Sequence, residues 1–188
     1  MKIDRLFYPV TTLGFGRRVG IWTIGCPHHC NGCSNPELWD FSGGGELSAE
    51  QAADAICDIT DRIDGITITG GDPFAQADEL LKLVRVLESR GFEDILIYSG
   101  YTLEEIEVMS DDARECLNHI AALVDGRYVD ELNDNLGMRG SSNQRLHLFK
   151  EQFAERYADF CTCRRSTRLV NNSGRLMAIG IPLKVEKE

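Results

Sequence analysis

A short loop near the N-terminus carries the residues with the clearest chemical signal. Residues 25–35 contain Cys26, Cys30 and Cys33 in a C-x3-C-x2-C spacing. Three thiolates on one loop can bind three corners of a cubane iron–sulfur cluster, which normally takes four protein thiolates. One iron then keeps an open coordination position, and such a position distinguishes catalytic metal sites from closed structural ones. The spacing therefore predicts a reactive [4Fe-4S] cluster.

The same loop supports a second interpretation. A zinc ion could bind the three cysteines together with His28 or His29, which lie between the first two of them. Two adjacent polar residues in a loop usually face solvent, so the histidines weigh less than the cysteines. The sequence leaves open whether either histidine has a role.

Strands alternate with helices along most of the chain. Ser48 and Gln51 form a capping-box pattern that begins a helix reaching to about residue 64. A second helix is predicted over 76–90, and two short helices between 103 and 119. Asn171-Asn-Ser-Gly174 separates two β-rich runs and predicts a hairpin. Apolar, β-branched runs predict strands at 19–24, 66–69, 94–98, 121–124, 146–149, 168–170 and 175–181.

This alternation implies right-handed βα units and a mainly parallel sheet. A closed barrel of eight units typically needs about 250 residues, and the chain has 188. We therefore predict an α/β fold that is a partial, open βα barrel with a C-terminal β-hairpin. Residues 1–188 are expected to form one domain, with a core over about 15–150 and a C-terminal extension over 151–188.

Polar and glycine-rich segments follow four of the predicted strands. They are the cysteine loop, Gly70-Gly-Asp-Pro73, Ser99-Gly-Tyr-Thr102 and Asp125-Gly-Arg127. Binding sites of parallel α/β sheets gather at the carboxyl ends of the strands. We expect these four segments to converge on one rim.

The same segments, in the same order, resemble one enzyme family. Cys26-Pro-His-His-Cys-Asn-Gly-Cys33 is similar to the cluster motif of radical S-adenosylmethionine (SAM) enzymes. Residues 14–17, 70–73, 124–128 and 139–145 resemble segments of the small activating enzymes of glycyl radical enzymes, above all those that serve anaerobic ribonucleotide reductases. The resemblance covers about residues 5–150, and the last forty residues match less clearly.

The resemblance implies a radical SAM type of fold and an oxidoreductase of anaerobic metabolism. In that family SAM occupies the open iron of the cluster and is cleaved reductively. The resulting 5′-deoxyadenosyl radical abstracts a hydrogen atom from a backbone glycine of a partner enzyme, here an anaerobic ribonucleotide reductase. A flavodoxin or ferredoxin is the implied electron donor, and no catalytic residue beyond the cluster ligands is implied.

The resemblance also assigns residues to the cofactor. Gly70, Gly71 and Asp72 match the motif that contacts the methionine amino group, although the family often carries Glu at the position of Asp72. The residues matching other SAM contacts are Ser99, Gly100, Thr102, Asp125 and Arg127. From the residues alone, Thr102 is equally well a helix N-cap, and Asp125 and Arg127 could form a structural salt bridge with each other.

A polar segment further along the chain is assigned to the partner. The resemblance implies that it helps form the rim that receives the glycine loop, whereas its composition alone indicates only a loop. Its residues are Arg139, Ser141, Ser142, Asn143, Gln144 and Arg145.

Composition excludes several classes of partner and compartment. With 20 basic and 30 acidic residues the net charge is −10, which argues against non-specific binding to nucleic acid or anionic membranes. The sequence shows neither a membrane-spanning apolar stretch nor a signal peptide, so we expect a cytoplasmic protein with reduced thiols. Cys161 and Cys163 are expected to be free thiols; a zinc site would need Cys116 or a histidine as well.

Two other functions stay open at this stage. One is a radical SAM enzyme that modifies another peptide or a small molecule, because the cysteine motif is common to all such enzymes. The other is a non-catalytic zinc- or cluster-binding protein. A dinucleotide-binding fold is excluded, because Gly14-Phe-Gly16 precedes the first predicted strand and the third glycine position of that fingerprint is Val19.

Overall fold

A mixed sheet forms the frame of the molecule, for which the computed structural model describes residues 1–172 and 175–184. Seven strands of the described chain form this sheet in the order β3-β1-β2-β4-β5-β6-β7. It has two free edges, so it is open. Its strands are β1 (Lys2–Val10), β2 (Arg18–Thr23), β3 (Gly45–Glu46), β4 (Gly65–Gly70), β5 (Ile95–Tyr98), β6 (Ala122–Asp125) and β7 (Arg145–Leu148).

The four central strands, β2, β4, β5 and β6, run parallel to one another. The predicted mainly parallel sheet is thereby confirmed for its centre. Antiparallel strands complete it on both sides, β1 and β3 beside β2 and β7 beside β6. Strand β1 was not predicted, because Lys2, Asp4 and Arg5 interrupt its apolar pattern.

The described chain has five α-helices, of which four lie between strands of this sheet and the fifth follows β7. Helix α1 begins at the predicted capping box of Ser48 and Gln51. It ends at Cys57 rather than near residue 64, because the following chain leaves the helix to bring Asp64 against the amide of Arg17, at 2.9 Å. The helices are α1 (Ala49–Cys57), α2 (Ala77–Ser89), α3 (Leu103–Met109), α4 (Asp111–Cys116) and α5 (Ala154–Tyr157).

Different parts of the chain cover the two faces of the sheet. Alternate side chains of each strand point to opposite faces, so Ile95 and Ile97 pack with α1 and α2 whereas Leu96 packs with Tyr157 and Phe160. Helices α1 to α4 therefore cover one face. The C-terminal extension covers much of the other.

The C-terminal extension contains the predicted β-hairpin. Strands β8 (Thr167–Asn172) and β9 (Arg175–Gly180) pair antiparallel in a sheet of their own. Ser173 and Gly174 of the predicted turn lie outside the described residues. Ile179 is buried against Val10 and Trp22 of the main sheet, so the hairpin is attached to the domain core. No described helix has the length and apolar character that a membrane crossing requires.

Candidate active site

The cysteine loop lies at the carboxyl end of β2. Cys26 is buried, Cys30 and Cys33 are partly buried, and all three thiols are free. The Cys33 amide donates to the Cys30 carbonyl at 3.2 Å, and the Asn35 amide donates to the Cys33 Sγ at 3.4 Å. All three cysteines line one cavity of about 730 Å³. The loop therefore presents its three thiols to a common space of the size typical of small-molecule sites.

A second wall of the cavity comes from the end of β4. Gly70, Gly71 and Asp72 line it, and the Asp72 amide donates to the Gly25 carbonyl at 2.8 Å. A Cβ on Gly71 would lie 2.4 Å from that carbonyl oxygen, so only glycine lets the two chain segments approach so closely. Ser99 and Gly100 at the end of β5 and Gly126 after β6 complete the rim, which confirms the predicted convergence of the strand ends.

The Asp72 carboxylate points into the protein rather than into open solvent. Its side chain is 1% exposed and accepts hydrogen bonds from the Phe74 amide at 3.0 Å and the Gly100 amide at 2.7 Å. The Ser99 hydroxyl lies at 3.0 Å and His28 Nε2 at 2.8 Å. Asp72 therefore ties the cysteine loop to the ends of β4 and β5. Its contact with the SAM amino group stays a prediction.

His28 is one of the residues that hold the cysteine loop in place. Its side chain is 4% exposed, and its ring packs edge-on against Tyr101 at a centroid distance of 4.4 Å. A Cβ on Gly100 would come within 2.4 Å of His28 Cδ2, so glycine at position 100 makes room for the imidazole. Sequence reasoning left the role of His28 open, and the structure gives it a structural one.

The surroundings of both histidines bear on the choice between zinc and a cluster. His28 Nε2 is engaged by Asp72, and the His29 ring packs on Trp39 at 4.8 Å. Among the residues that the structure describes, no three His, Cys, Asp or Glu side chains are arranged to hold a single metal ion. The contact of His28 Nε2 with Asp72 argues against a zinc site completed by that nitrogen.

Burial affects the pKa values of two thiols in the cysteine loop. It raises the pKa of the Cys26 thiol to about 11 and raises the pKa of Cys30 as well. Metal binding requires thiolates and therefore releases protons. Cys26 and Cys30 are thus protonated thiols at neutral pH, and binding of a metal by either would require loss of that proton.

Three predicted SAM contacts lie behind the rim rather than in the cavity lining. Thr102 is the N-cap of α3 and forms a capping box with Glu105. Asp125 accepts from the Leu103 amide at 2.7 Å and from Arg145 at 2.6 Å. Arg127 is exposed and lies 3.7 Å from Glu105. The alternative salt bridge between Asp125 and Arg127 is therefore wrong, because the fold places Arg145 against Asp125 instead.

These contacts also set the charge of Asp125. Burial alone would raise the pKa of this carboxyl group. Hydrogen bonds from Arg145 and from the Leu103 amide outweigh burial and lower the pKa overall. Asp125 is therefore ionised and fixes the start of α3 to the end of β6.

The segment predicted to meet the partner bonds largely to its own neighbours. Gln144 lines the cavity; its Oε1 accepts from the Gly140 amide at 2.7 Å, and its Nε2 donates to the Gly126 carbonyl at 2.7 Å. The Ser141 hydroxyl accepts from the Val129 amide at 3.1 Å. Outside the lining, but on the same segment, are Arg139, Ser142, Asn143 and Arg145.

Sequence reasoning missed part of the cavity wall. Tyr128 and Asn133 line it, as does the chain from Gly180 to Lys184. Tyr128 ends one of the segments that carry the family resemblance, so a signal for it existed. The C-terminal residues have no motif, and only the folded chain places them there.

Comparison with known proteins defines the class. The sequence model of a family described as a 4Fe-4S single cluster domain matches residues 12–147. This range contains all three cysteines of the loop, together with the ends of β4, β5 and β6. The protein is therefore of the single-cluster iron–sulfur class.

Similar proteins narrow the class to a family. A Vibrio cholerae protein named anaerobic ribonucleoside-triphosphate reductase-activating protein is 37% identical over 151 residues, spanning 76% of this chain and 96% of its own. Proteins with that name from Haemophilus influenzae and from Enterobacteria phage T4 are 34% and 32% identical, spanning 77% and 78% of this chain and 96% and 93% of theirs. The chain belongs to the family of anaerobic ribonucleoside-triphosphate reductase-activating proteins.

Proposed function

We propose that this chain is a radical SAM enzyme that generates a glycyl radical on an anaerobic ribonucleoside-triphosphate reductase. The observation that carries the proposal is the common cavity, into which one loop brings Cys26, Cys30 and Cys33 beside the glycine-rich ends of β4 and β5. When bound, the reduced [4Fe-4S] cluster supplies the electron that splits SAM, and the adenosyl fragment removes a hydrogen atom from the glycine of the partner. The donor of that electron is a flavodoxin or ferredoxin, and the site of action is the cytoplasm.

The residues of the chain bind the cluster and SAM, orient SAM and shield the cavity from water. Cys26, Cys30 and Cys33 hold the cluster as thiolates, and Gly70 and Gly71 let the backbone approach the methionine end of SAM. Ser99 and Gly100 extend that wall, while Thr102 and Asp125 fix the start of α3 behind it and Arg127 lies at the surface beside Glu105. Trp22, Leu13 and Tyr98 give the cavity an apolar side that excludes water.

The fold suits a protein substrate. We propose that residues 1–188 form a single domain and that its open sheet curves as a partial barrel of the radical SAM type. A partial barrel leaves one side of the cavity accessible to a protruding loop of the partner. The segment from Arg139 to Arg145, with Gln144 in the lining, lies at that rim.

The first experiment is an EPR spectrum of the anaerobically reconstituted, reduced protein with and without SAM. We expect a four-iron cluster signal that changes when SAM is added, because SAM takes the open iron. A signal indifferent to SAM would contradict the radical SAM assignment. Retention of zinc in place of iron would support a non-catalytic metal protein.

A matched pair of cysteine variants tests the cluster ligands. Cys30→Ala removes one ligand and is expected to abolish SAM cleavage and to reduce the iron content. Cys57→Ala is the control, because Cys57 is exposed and lies outside the cavity. SAM cleavage retained in Cys30→Ala, or lost equally in both variants, would overturn the assignment of the cysteine loop.

A further inference from the structure

The C-terminal extension forms a wall of the cavity although it lies beyond residue 147, where the family match ends. Residues from both the hairpin and the tail after it line the same cavity as the three cysteines. They are Ala178, Gly180, Ile181, Pro182, Leu183 and Lys184.

This wall is already fixed in the structure. The guanidinium of Arg165 is buried and donates to the Pro182 carbonyl at 3.1 Å and to Asn133 Oδ1 at 2.9 Å. The Lys184 amide donates to Asn135 Oδ1 at 2.6 Å. The tail therefore needs no partner to hold it in place, and a surface that is ordered before binding loses less conformational entropy on association.

The two faces of the hairpin differ sharply. Ile179 is 3% exposed and packs on the core. The register pairs Leu169 with Ala178 and Asn171 with Leu176, so Leu169, Leu176 and Ala178 share the opposite face. We name these three residues the hairpin face. Leu169 and Leu176 are 67% and 69% exposed, and Ala178 joins the face to the cavity lining.

The charge of this segment is opposite to that of the whole chain. Residues 160–184 contain five basic and no acidic residues, whereas the net charge of the protein is −10. Arg164 is exposed, and so is Arg168, although the register places Arg168 on the same side of the hairpin as Ile179. An apolar patch within a basic segment suits a partner surface that combines apolar and acidic side chains, because complementary charge steers association.

We infer that the hairpin face is the docking surface for the protein that delivers the glycine, the anaerobic ribonucleoside-triphosphate reductase. This inference rests on the proposed function. A backbone glycine reaches the cavity only if the surface around it lies against the cavity mouth, and the hairpin face is continuous with that mouth. The basic segment then meets acidic side chains around the glycine loop.

The test uses the reconstituted full-length enzyme and the purified reductase of the same organism. Leu169→Asp combined with Leu176→Asp places acid on the face and is expected to weaken binding of the reductase at least about tenfold. SAM cleavage measured without the reductase is expected to be unchanged, because neither leucine lines the cavity. Val108→Asp is the matched control, since Val108 is 83% exposed on α3, outside the hairpin.

A charge variant tests whether the basic segment contacts acidic side chains of the reductase. Arg164→Glu, at an exposed residue of the basic segment, is expected to weaken binding of the reductase at low salt and to match the wild type at high salt, because salt screens exposed charges. If the double leucine variant binds and activates the reductase as well as the wild type does, the inferred docking surface is wrong. The proposed function would not be affected by that result. A wild-type protein that neither binds nor activates the reductase would overturn the proposed function, and the inference with it.

Discussion

Two buried carboxylates stand at opposite ends of the parallel strands. Asp94 precedes β5 and is 4% exposed; Asp72 follows β4 and is 1% exposed. Asp94 faces two guanidinium groups, those of Arg18 at 3.0 Å and Arg156 at 2.6 Å. Asp72 is held instead by two backbone amides, the Ser99 hydroxyl and the His28 ring.

The difference separates a structural end of the sheet from a functional one. At the amino end, Arg18 is fully buried and also donates to Thr67 Oγ1 at 2.7 Å. Cationic partners compensate the charge of Asp94 within the protein interior. At the carboxyl end, the partners of Asp72 belong to segments that line the cavity. A disturbance of Asp72 is therefore transmitted to the cysteine loop, whereas one at Asp94 acts on the stability of the whole fold.

Removal of the Arg18 guanidinium at the amino end of the parallel strands should have the largest effect on stability. Arg18→Met leaves Asp94 buried with less compensation, and we expect the free energy of unfolding to fall by about 3–5 kcal/mol. Arg17→Met is the matched control, because its ion pair with Asp61 is exposed and should contribute less than about 1 kcal/mol. Urea denaturation measures both, and equal losses would contradict the structural role of Arg18.

Asp72→Asn should have a smaller effect on stability and a more local one. An amide nitrogen in place of a carboxylate oxygen cannot accept from the Gly100 amide or His28, which costs about 1–3 kcal/mol. We also expect less iron per folded molecule after reconstitution, because His28 loses its anchor. Asp94→Asn provides the comparison. If it lowers iron per folded molecule as much as Asp72→Asn does, then Asp72 has no specific influence on the cysteine loop.

Thr102→Ala should have the smallest effect and decides between two roles for this residue. Loss of an N-cap side chain costs about 1 kcal/mol, and a purely structural Thr102 leaves the affinity for SAM unchanged. Thermal unfolding and a SAM-binding titration measure the two quantities separately. Weaker SAM binding with unchanged stability would show that Thr102 contacts the cofactor instead.

The sequence predicted which segments meet at the site, but it did not predict which side chains contact one another there. The strand ends converge as expected, because parallel neighbours must end at the same edge. The end of α1 and the existence of β1 were missed, because tertiary contacts overrode local patterns there. The partner of Asp125 was wrong, because proximity in sequence favoured Arg127 whereas β7 pairs with β6 and brings in Arg145.

The cysteine motif and the alternation of strands and helices are determined by the sequence alone, since both depend on residues close together in the chain. Only the tertiary structure decided which group each polar side chain meets. His28 and Asp72 are 44 positions apart, and the C-terminal tail reaches the cavity from beyond the family match. Such contacts depend on how distant elements pack, and no local spacing encodes them. The hairpin face, with its exposed leucines beside the cavity that the three cysteines line, exists only in the folded protein.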